Sequence, residues 1–276
     1  MSKPMRRQSS IKGYGKVYLT GAGPGDPDLI TVKGLKTLQK ADVVVYDRLA
    51  VPDLLNEVSA KAELIYVGKK PGRASASQEQ INEVLLQKAV EGKTVVRLKG
   101  GDPFIFGRGG EEARHLASHG VDFEVIPGIS SALSAPMFAG IPLTYRNLSR
   151  SFTVITGHVR KSDELKHDWD RLAGEDTLVV LMGMSNLNHI AHQLMLHGKA
   201  PETPVGIIHK ATYADQETVI DTLVGVSEKS IHITSPSVIV IGEVVLLANE
   251  IAWFGKSENK RGQKYQPSMK IAAAGI

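Results

Sequence analysis

The sequence predicts an α/β protein of two domains, with a mainly parallel sheet in the first and a mixed sheet in the second. Three observations carry this reading. The first half alternates short apolar strands with helical stretches, the pattern of a parallel sheet. Asp42-Val-Val-Val-Tyr-Asp47 is an almost continuous apolar run, as expected of a strand buried on both faces. The second half has more strands in succession, which calls for antiparallel neighbours as well.

Taken in order, Lys16–Thr20 reads as a strand and Gly21-Ala-Gly-Pro-Gly25 as a tight turn. Residues 26–41 place apolar side chains at 29, 30, 32, 35 and 38, a helical period with acids at its start. Strand 42–47 follows, then strand 63–67 and a polar loop holding Lys69, Lys70 and Arg73. Ser77-Gln-Glu-Gln80 is a capping box that opens a helix to about Glu91. Strand 94–98 leads into a glycine-rich loop, a helix from near Glu111 to His119 and strand 122–126. After Pro127-Gly128 comes a small-residue helix over 129–139.

Gly140–Arg150 reads as a linker, which divides the chain into domains 16–145 and 146–255. The second domain is expected to hold strand 151–156, a charged helix over 163–173, strand 177–182 and a helix over 186–197. Strands 204–209, 217–223 and 237–241 complete it, with Glu243–Leu247 extending the last or pairing with it.

A chain of 276 residues with 42% hydrophobic content can bury one large or two ordinary cores. No apolar run of about 18 residues exists, so no membrane span is expected. There is no cysteine, which excludes disulfides and thiol catalysis and suits a cytoplasmic protein. Residues 1–16 hold five basic side chains and no acid, and residues 256–276 hold five against Glu258. Taking those nine net charges from the total of +4 leaves residues 17–255 at −5. The basicity thus sits in a leader (1–15) and a tail (256–276) read as disordered, and a nucleic-acid surface on the folded part is not expected.

Ligands of open α/β sheets sit at the carboxyl ends of the strands. Gly21–Gly25, Asp47, Gly68–Arg73, Gly100–Arg108 and Pro127–Ser131 all occupy that position. Gly21–Gly25 with Asp47 invites a dinucleotide reading, but Pro24 removes a backbone amide that a pyrophosphate would need. The more specific stretch is Val95–Glu112. It carries glycines at 100, 101, 107, 109 and 110, with Asp102, Phe104, Ile105 and Arg108 among them. Glycine at that density lets backbone meet a ligand. The P-loop ending Gly-Lys-Ser/Thr is missing from it. An apolar, amide-rich loop with one carboxylate suits adenosine with an amino-acid tail better than a triphosphate. On the residues alone, a nicotinamide oxidoreductase and a non-catalytic anion-binding module stay open beside an adenosyl-binding enzyme.

Val17–Asp26, Val44–Leu49, Val67–Lys69, Arg97–Glu112, Pro127–Ile129 and Gly140–Thr144 together resemble the uroporphyrinogen-III C-methyltransferases, within the tetrapyrrole methylases that use S-adenosylmethionine. The resemblance runs from about residue 16 to 254. It implies a two-domain tetrapyrrole-methylase fold with the active site in the cleft between the domains, and a homodimer. By the same resemblance Pro24, Gly100, Gly101, Asp102, Ile105, Ser130, Ser131, Met182 and Ala211 match cofactor-contacting positions. Ser130, Ser131 and Ala211 are small replacements for the commoner Thr, Ala and Gly. Asp47 and Lys69 match the positions of a proton acceptor and donor.

The implied reaction is two methyl transfers to uroporphyrinogen III, at C2 and C7, giving precorrin-2, which serves sirohaem, cobalamin or haem d1. A methylase acting later on the corrin ring is the alternative within the family. The substrate carries eight carboxylates, and Arg108 and Arg146 lie where their forks can bind them. Arg108 and Glu111 are three apart at a helix start and can pair, and Glu111 is a second candidate to take the proton. The histidine pairs 115/119 and 189/192 lack a third ligand at metal-site spacing, so no metal is expected.

Overall fold

The computed structural model describes residues 13–49, 52–68, 76–158, 167–228 and 232–255. The chain divides into two compact units, one of residues 1–134 with 211–213 and the other of 135–210 with 214–276.

The first unit is a five-stranded sheet of β1 (Val17–Gly21), β2 (Val43–Tyr46), β3 (Glu63–Tyr66), β4 (Val95–Lys99) and β5 (Phe123–Ile126). The strand order is β3-β2-β4-β1-β5 and every pairing is parallel. The central strand β4 is buried along its whole length. Alternation sends Val95 to one face of the sheet and Val96 with Leu98 to the other. The first face packs on α2 (Gln78–Val90) and α3 (Gly109–Ser118) through Ile81, Leu85, Ala89, Ala113 and Leu116. The second packs on α1 (Val32–Leu38) and a 3-10 turn at Pro52–Glu57 through Leu38 and Leu54. The capping box at Ser77 and Gln80 forms as expected, each side chain taking the other residue's backbone N–H.

One expected helix is divided. Over residues 26–41 the chain makes a 3-10 turn at Pro27–Leu29, becomes extended at Ile30 and restarts as α1. Asp26 caps the turn through the Asp28 N–H, and Thr31 caps α1 through the Gly34 N–H. Two competing caps within six residues outweigh the helical period.

The second unit holds β6 (Phe152–Thr156), β7 (Thr177–Leu181), β8 (Pro204–His209), β9 (Glu217–Thr222) and β10 (Ser237–Ile241) in the order β6-β7-β10-β8-β9. Among the described residues β6–β7 is the one parallel pair, so the sheet is mixed. Its main core joins α5 (Trp169–Ala173), α6 (Leu187–Leu196) and α7 (Leu223–Glu228) to one face through Leu172, Ile190, Leu194 and Val226. Residues 159–166, where the charged helix was expected to begin, lie outside the described residues. Glu243–Leu247 adds no strand. It is a 3-10 turn closed by the Val245 N–H on the Gly242 carbonyl, and it runs into the short α8 (Ala248–Ile251). Its apolar run is explained by burial of Val244 and Val245.

Helix α4 (Ser131–Phe138) spans the point at which the chain passes from one unit to the other. The linker stretch is pinned within the second unit. Ser149 is buried, and its hydroxyl lies 2.8 Å from the Thr177 hydroxyl and donates to the Leu143 carbonyl.

Candidate functional site

The carboxyl ends of β1, β4 and β5 are tied together backbone to backbone. The Ala22 N–H donates to the Lys99 carbonyl at 2.7 Å, and Gly23 and Gly101 form an isolated bridge, with the Gly101 N–H on the Gly23 carbonyl at 2.7 Å. Gly21 lies against Gly128 so closely that a Cβ on Gly21 would stand 2.6 Å from the Gly128 Cα. No residue but glycine fits that approach. Gly101 has a left-handed φ of 66°, which an L side chain adopts only at a cost. Asp102 completes the fastening: its Oδ1 accepts the Phe104 N–H at 2.8 Å and its Oδ2 the Gly128 N–H at 3.1 Å.

The other expected cofactor positions in this unit lie on the same loops. Pro24 sits between the Gly23 bridge and Asp26, whose N–H donates to the Thr212 hydroxyl at 2.9 Å. That bond brings the 211–213 segment, with buried Ala211, to the turn after β1. Ser130 is buried at the start of α4, where its hydroxyl accepts the Ala132 N–H and its carbonyl the Leu133 and Ser134 N–H groups. Ser131 opens α4 and is half-buried. A Cβ on Gly101 would stand 3.7 Å from the Ser131 nitrogen and 3.8 Å from the Ser130 Cα, in ordinary contact, so the two loops meet here. Phe104, Ile105 and Phe106 stand exposed on the loop after β4. Phe106 and Arg108 both have left-handed backbones, at φ 50° and 58°, and strain of this kind persists where the surroundings fix it. Met182 is in the second unit, one residue past β7, 47% exposed and with φ 56°.

Among the residues expected to do chemistry, Asp47 follows β2 directly. Its Oδ1 accepts the Leu49 N–H at 3.0 Å and its Oδ2 the Arg97 Nη2 at 2.8 Å. Arg108 and Glu111 pair in a fork, Nε to Oε1 at 2.8 Å and Nη2 to Oε2 at 2.6 Å, on the exposed start of α3. That pairing raises the Arg108 guanidinium further above its ordinary value. Arg146 is exposed in the second unit. Lys69, with Lys70 and Arg73, lies outside the described residues.

Behind Asp47 is a buried set of charges that no motif announces. Arg97 and Lys99 are two apart on β4 and face α3, where Glu112 is fully buried. Glu112 Oε1 accepts Arg97 Nε at 3.2 Å, Lys99 Nζ at 2.9 Å and Gln78 Nε2 at 3.2 Å. Arg97 Nη1 also donates to the Leu98 carbonyl at 2.9 Å. Burial, and then the nearby Arg97, push the Lys99 ammonium below its ordinary pKa despite the pull of Glu112. A signal was present in Val95-Val-Arg-Leu-Lys99. Two cations on one face of a strand otherwise read as buried demand anions in the interior.

Among the described residues no group of three His, Cys, Asp or Glu side chains is placed to hold a metal. The His115 and His119 rings lie tilted at 40° with centroids 4.4 Å apart, and a ring nitrogen of His119 lies 2.9 Å from the His115 carbonyl. No described helix is long and apolar enough to cross a membrane.

Comparison with known proteins places this arrangement in a family. A uroporphyrinogen-III C-methyltransferase of Priestia megaterium is 53% identical over 237 residues, covering 84% of this chain and 98% of that protein. A siroheme synthase of Photorhabdus laumondii is 50% identical over 251 residues, covering 90% of this chain but only 53% of that protein. The chain therefore spans about half the length of that relative. Among solved structures, the native uroporphyrin-III C-methyltransferase of Thermus thermophilus superposes with a TM-score of 0.75 at 40% identity, covering 84% of this chain and all of that one. The same enzyme complexed with S-adenyl homocysteine superposes with a TM-score of 0.74 at 39% identity, covering 84% of this chain and 93% of that one. The family model described as Tetrapyrrole (Corrin/Porphyrin) Methylases matches residues 16–226, and the chain belongs to that family.

Proposed function

We propose that the chain is an S-adenosylmethionine-dependent C-methyltransferase that methylates uroporphyrinogen III at C2 and C7 to give precorrin-2. The observation that carries this reading is the fastening of the loops after β1, β4 and β5 around Gly23, Gly101, Asp102 and Gly128. Together with the identity to uroporphyrinogen-III C-methyltransferases along nearly their whole length, it supports an adenosyl site on the first unit. The residues suit that ligand. Gly101, Ser130 and Ser131 add little bulk where the loops meet, Gly100 lies against Leu49 with no room for a side chain, and Ile105 offers exposed apolar surface on the loop after β4. Pro24, Asp102, Met182 and Ala211 are the remaining contacts in the proposal. When bound, the cofactor supplies an electrophilic methyl group on a sulfonium.

What the chain's own residues must do is hold the acceptor carbon in line and remove a proton. Alignment is chiefly a proximity effect. Arg108 and Arg146, on exposed positions, are assigned to substrate carboxylates, with Lys69 as the proton donor. Asp47 is assigned to accept the proton, its Oδ1 fixed by the Leu49 N–H and its Oδ2 by Arg97. Glu111, paired to Arg108, is its alternate. The proposal extends to a cytoplasmic homodimer with domains at 16–145 and 146–255.

The test is incubation of the purified chain with S-adenosylmethionine and enzymatically made uroporphyrinogen III. Two equivalents of S-adenosylhomocysteine and the absorbance of the oxidised dimethylated product are expected. Absence of both would sink the reading. Turnover of a later corrin intermediate but not of uroporphyrinogen III would move the chain to another branch of the family.

A further inference from the structure

The sheet of the first unit hides four charges in a row, and only one end reaches solvent. Glu112 is fully buried, Arg97 and Lys99 are 3% and 4% exposed, and the Asp47 carboxylate is the half-open member. Arg97 links the two carboxylates through different nitrogens, Nη2 to Asp47 at 2.8 Å and Nε to Glu112 at 3.2 Å. Glu112 in turn holds three donors on one oxygen, while its Oε2 has no hydrogen-bond partner among the described residues. Taking such charges out of water costs several kcal/mol per ion, and apolar replacements of like volume are often as stable or more so. Such a row is therefore weak as a source of stability. Two cations and two anions make it neutral, and the buried members bear on the position of the open one.

We propose that Glu112 and Lys99 are positioning residues for Asp47, acting through Arg97. With Glu112 ionised and balanced by Lys99, Arg97 is held at Nε and presents Nη2 to the Asp47 carboxylate. Replacing Glu112 by the neutral Gln leaves two buried cations facing Asp47 alone. Arg97 keeps a neutral acceptor at 112 and its bond to the Leu98 carbonyl but loses the rear negative charge, so it is drawn toward Asp47 and the carboxylate is pinned more tightly against it. The step that suffers is proton removal, while the loops that take the cofactor keep their own fastening through Asp102 and Gly128. The inference rests on the reading of Asp47 as the proton acceptor.

A double-mutant cycle separates the two ideas: wild type, Asp47→Asn, Glu112→Gln and the double variant, each with kcat, KM and calorimetric Kd for S-adenosylmethionine. Glu112→Gln is expected to lower kcat about tenfold, with Kd changed by less than about twofold. In the Asp47→Asn background the same change should cost nothing further, because its route of action is gone. A full, additive loss in that background overturns the positioning role, as does an unchanged kcat for Glu112→Gln. Full activity of Asp47→Asn removes Asp47 as acceptor instead, a result that a failure of the Glu112 arm alone does not give. Should Glu112→Gln not fold, Lys99→Met and Gln78→Leu withdraw one donor each from Oε1. Both should lower kcat with Kd retained, and unchanged kcat in both overturns the proposal.

Discussion

Asp102 joins the loop after β4 to the loop after β5 by accepting the Gly128 N–H at 3.1 Å, while its other oxygen holds the Phe104 N–H of its own loop. A residue expected to touch the cofactor is thus also the fastening of the loops that would surround it. Asp102→Asn tests that function, because the two backbone donors sit on separate oxygens and the amide puts an NH2 donor against one of them. A backbone N–H left without its acceptor costs about 1–3 kcal/mol. Affinity for S-adenosylmethionine should fall about tenfold or more, with a smaller change in Tm. Calorimetric titration measures it, and an unchanged Kd would show that the fastening is dispensable.

The same loops give a prediction from space alone. Gly21→Ala puts a Cβ 2.6 Å from Gly128 Cα and from the Gly101 carbonyl, all of it backbone that cannot swing aside. Gly110→Ala, in the first turns of α3, meets nothing within 4 Å. The first should fold poorly or lose many degrees in Tm. The second should gain up to about 1 kcal/mol, since alanine favours a helix over glycine. Thermal unfolding of the two variants side by side decides it. Equal Tm values would show that the loops have room for a methyl group between Gly21 and Gly128.

The sheets of both units were legible because their apolar runs are local. Val43–Val45 and Val95–Val96 announce buried strands within a few residues, and the turn glycines mark the strand ends. What was hidden depends on partners far apart along the chain. Asp47 meets Arg97 across 50 residues, and Gln78 meets Glu112 across 34, so no spacing rule reaches either pair. Arg108 with Glu111 is the contrast, a pair at three residues' spacing that helix geometry alone brings together. Local chemistry also misled where two signals competed. The apolar period of residues 26–41 pointed to one helix, and the Asp26 and Thr31 caps divided it.

Arg108 and Glu111 give a third prediction. Both side chains are about half exposed, so the pair contributes little to stability. Arg108→Ala should leave Tm within a degree or two. Its kcat/KM for uroporphyrinogen III should fall about tenfold or more if the guanidinium holds a substrate carboxylate, a charged hydrogen bond being worth about 1.5–3 kcal/mol. Kd for S-adenosylmethionine should stay the same. Unchanged turnover would take Arg108 out of the site, and a large drop in Tm would make the pair structural.

Lys99 gives a prediction about pH and stability. Its ammonium is buried, and desolvation lowers its pKa from the ordinary lysine value of 10.5. The folded chain therefore releases this proton at lower pH than the unfolded chain does. Between the two values the unfolded state binds more protons, and stability rises with pH. Below the lowered value the destabilising contribution is present in full, and it is relieved as pH climbs toward 10.5. Lys99→Met removes the group and its pH dependence together. The stability of the wild type relative to Lys99→Met should then increase as pH rises toward 10.5, measured by urea unfolding at a series of alkaline pH values. Surface lysines whose pKa is raised by a partner, such as Lys16 beside Glu124, act with the opposite sign in both proteins and cancel in the comparison. A flat or falling difference would mean that Glu112 outweighs desolvation and keeps Lys99 charged throughout.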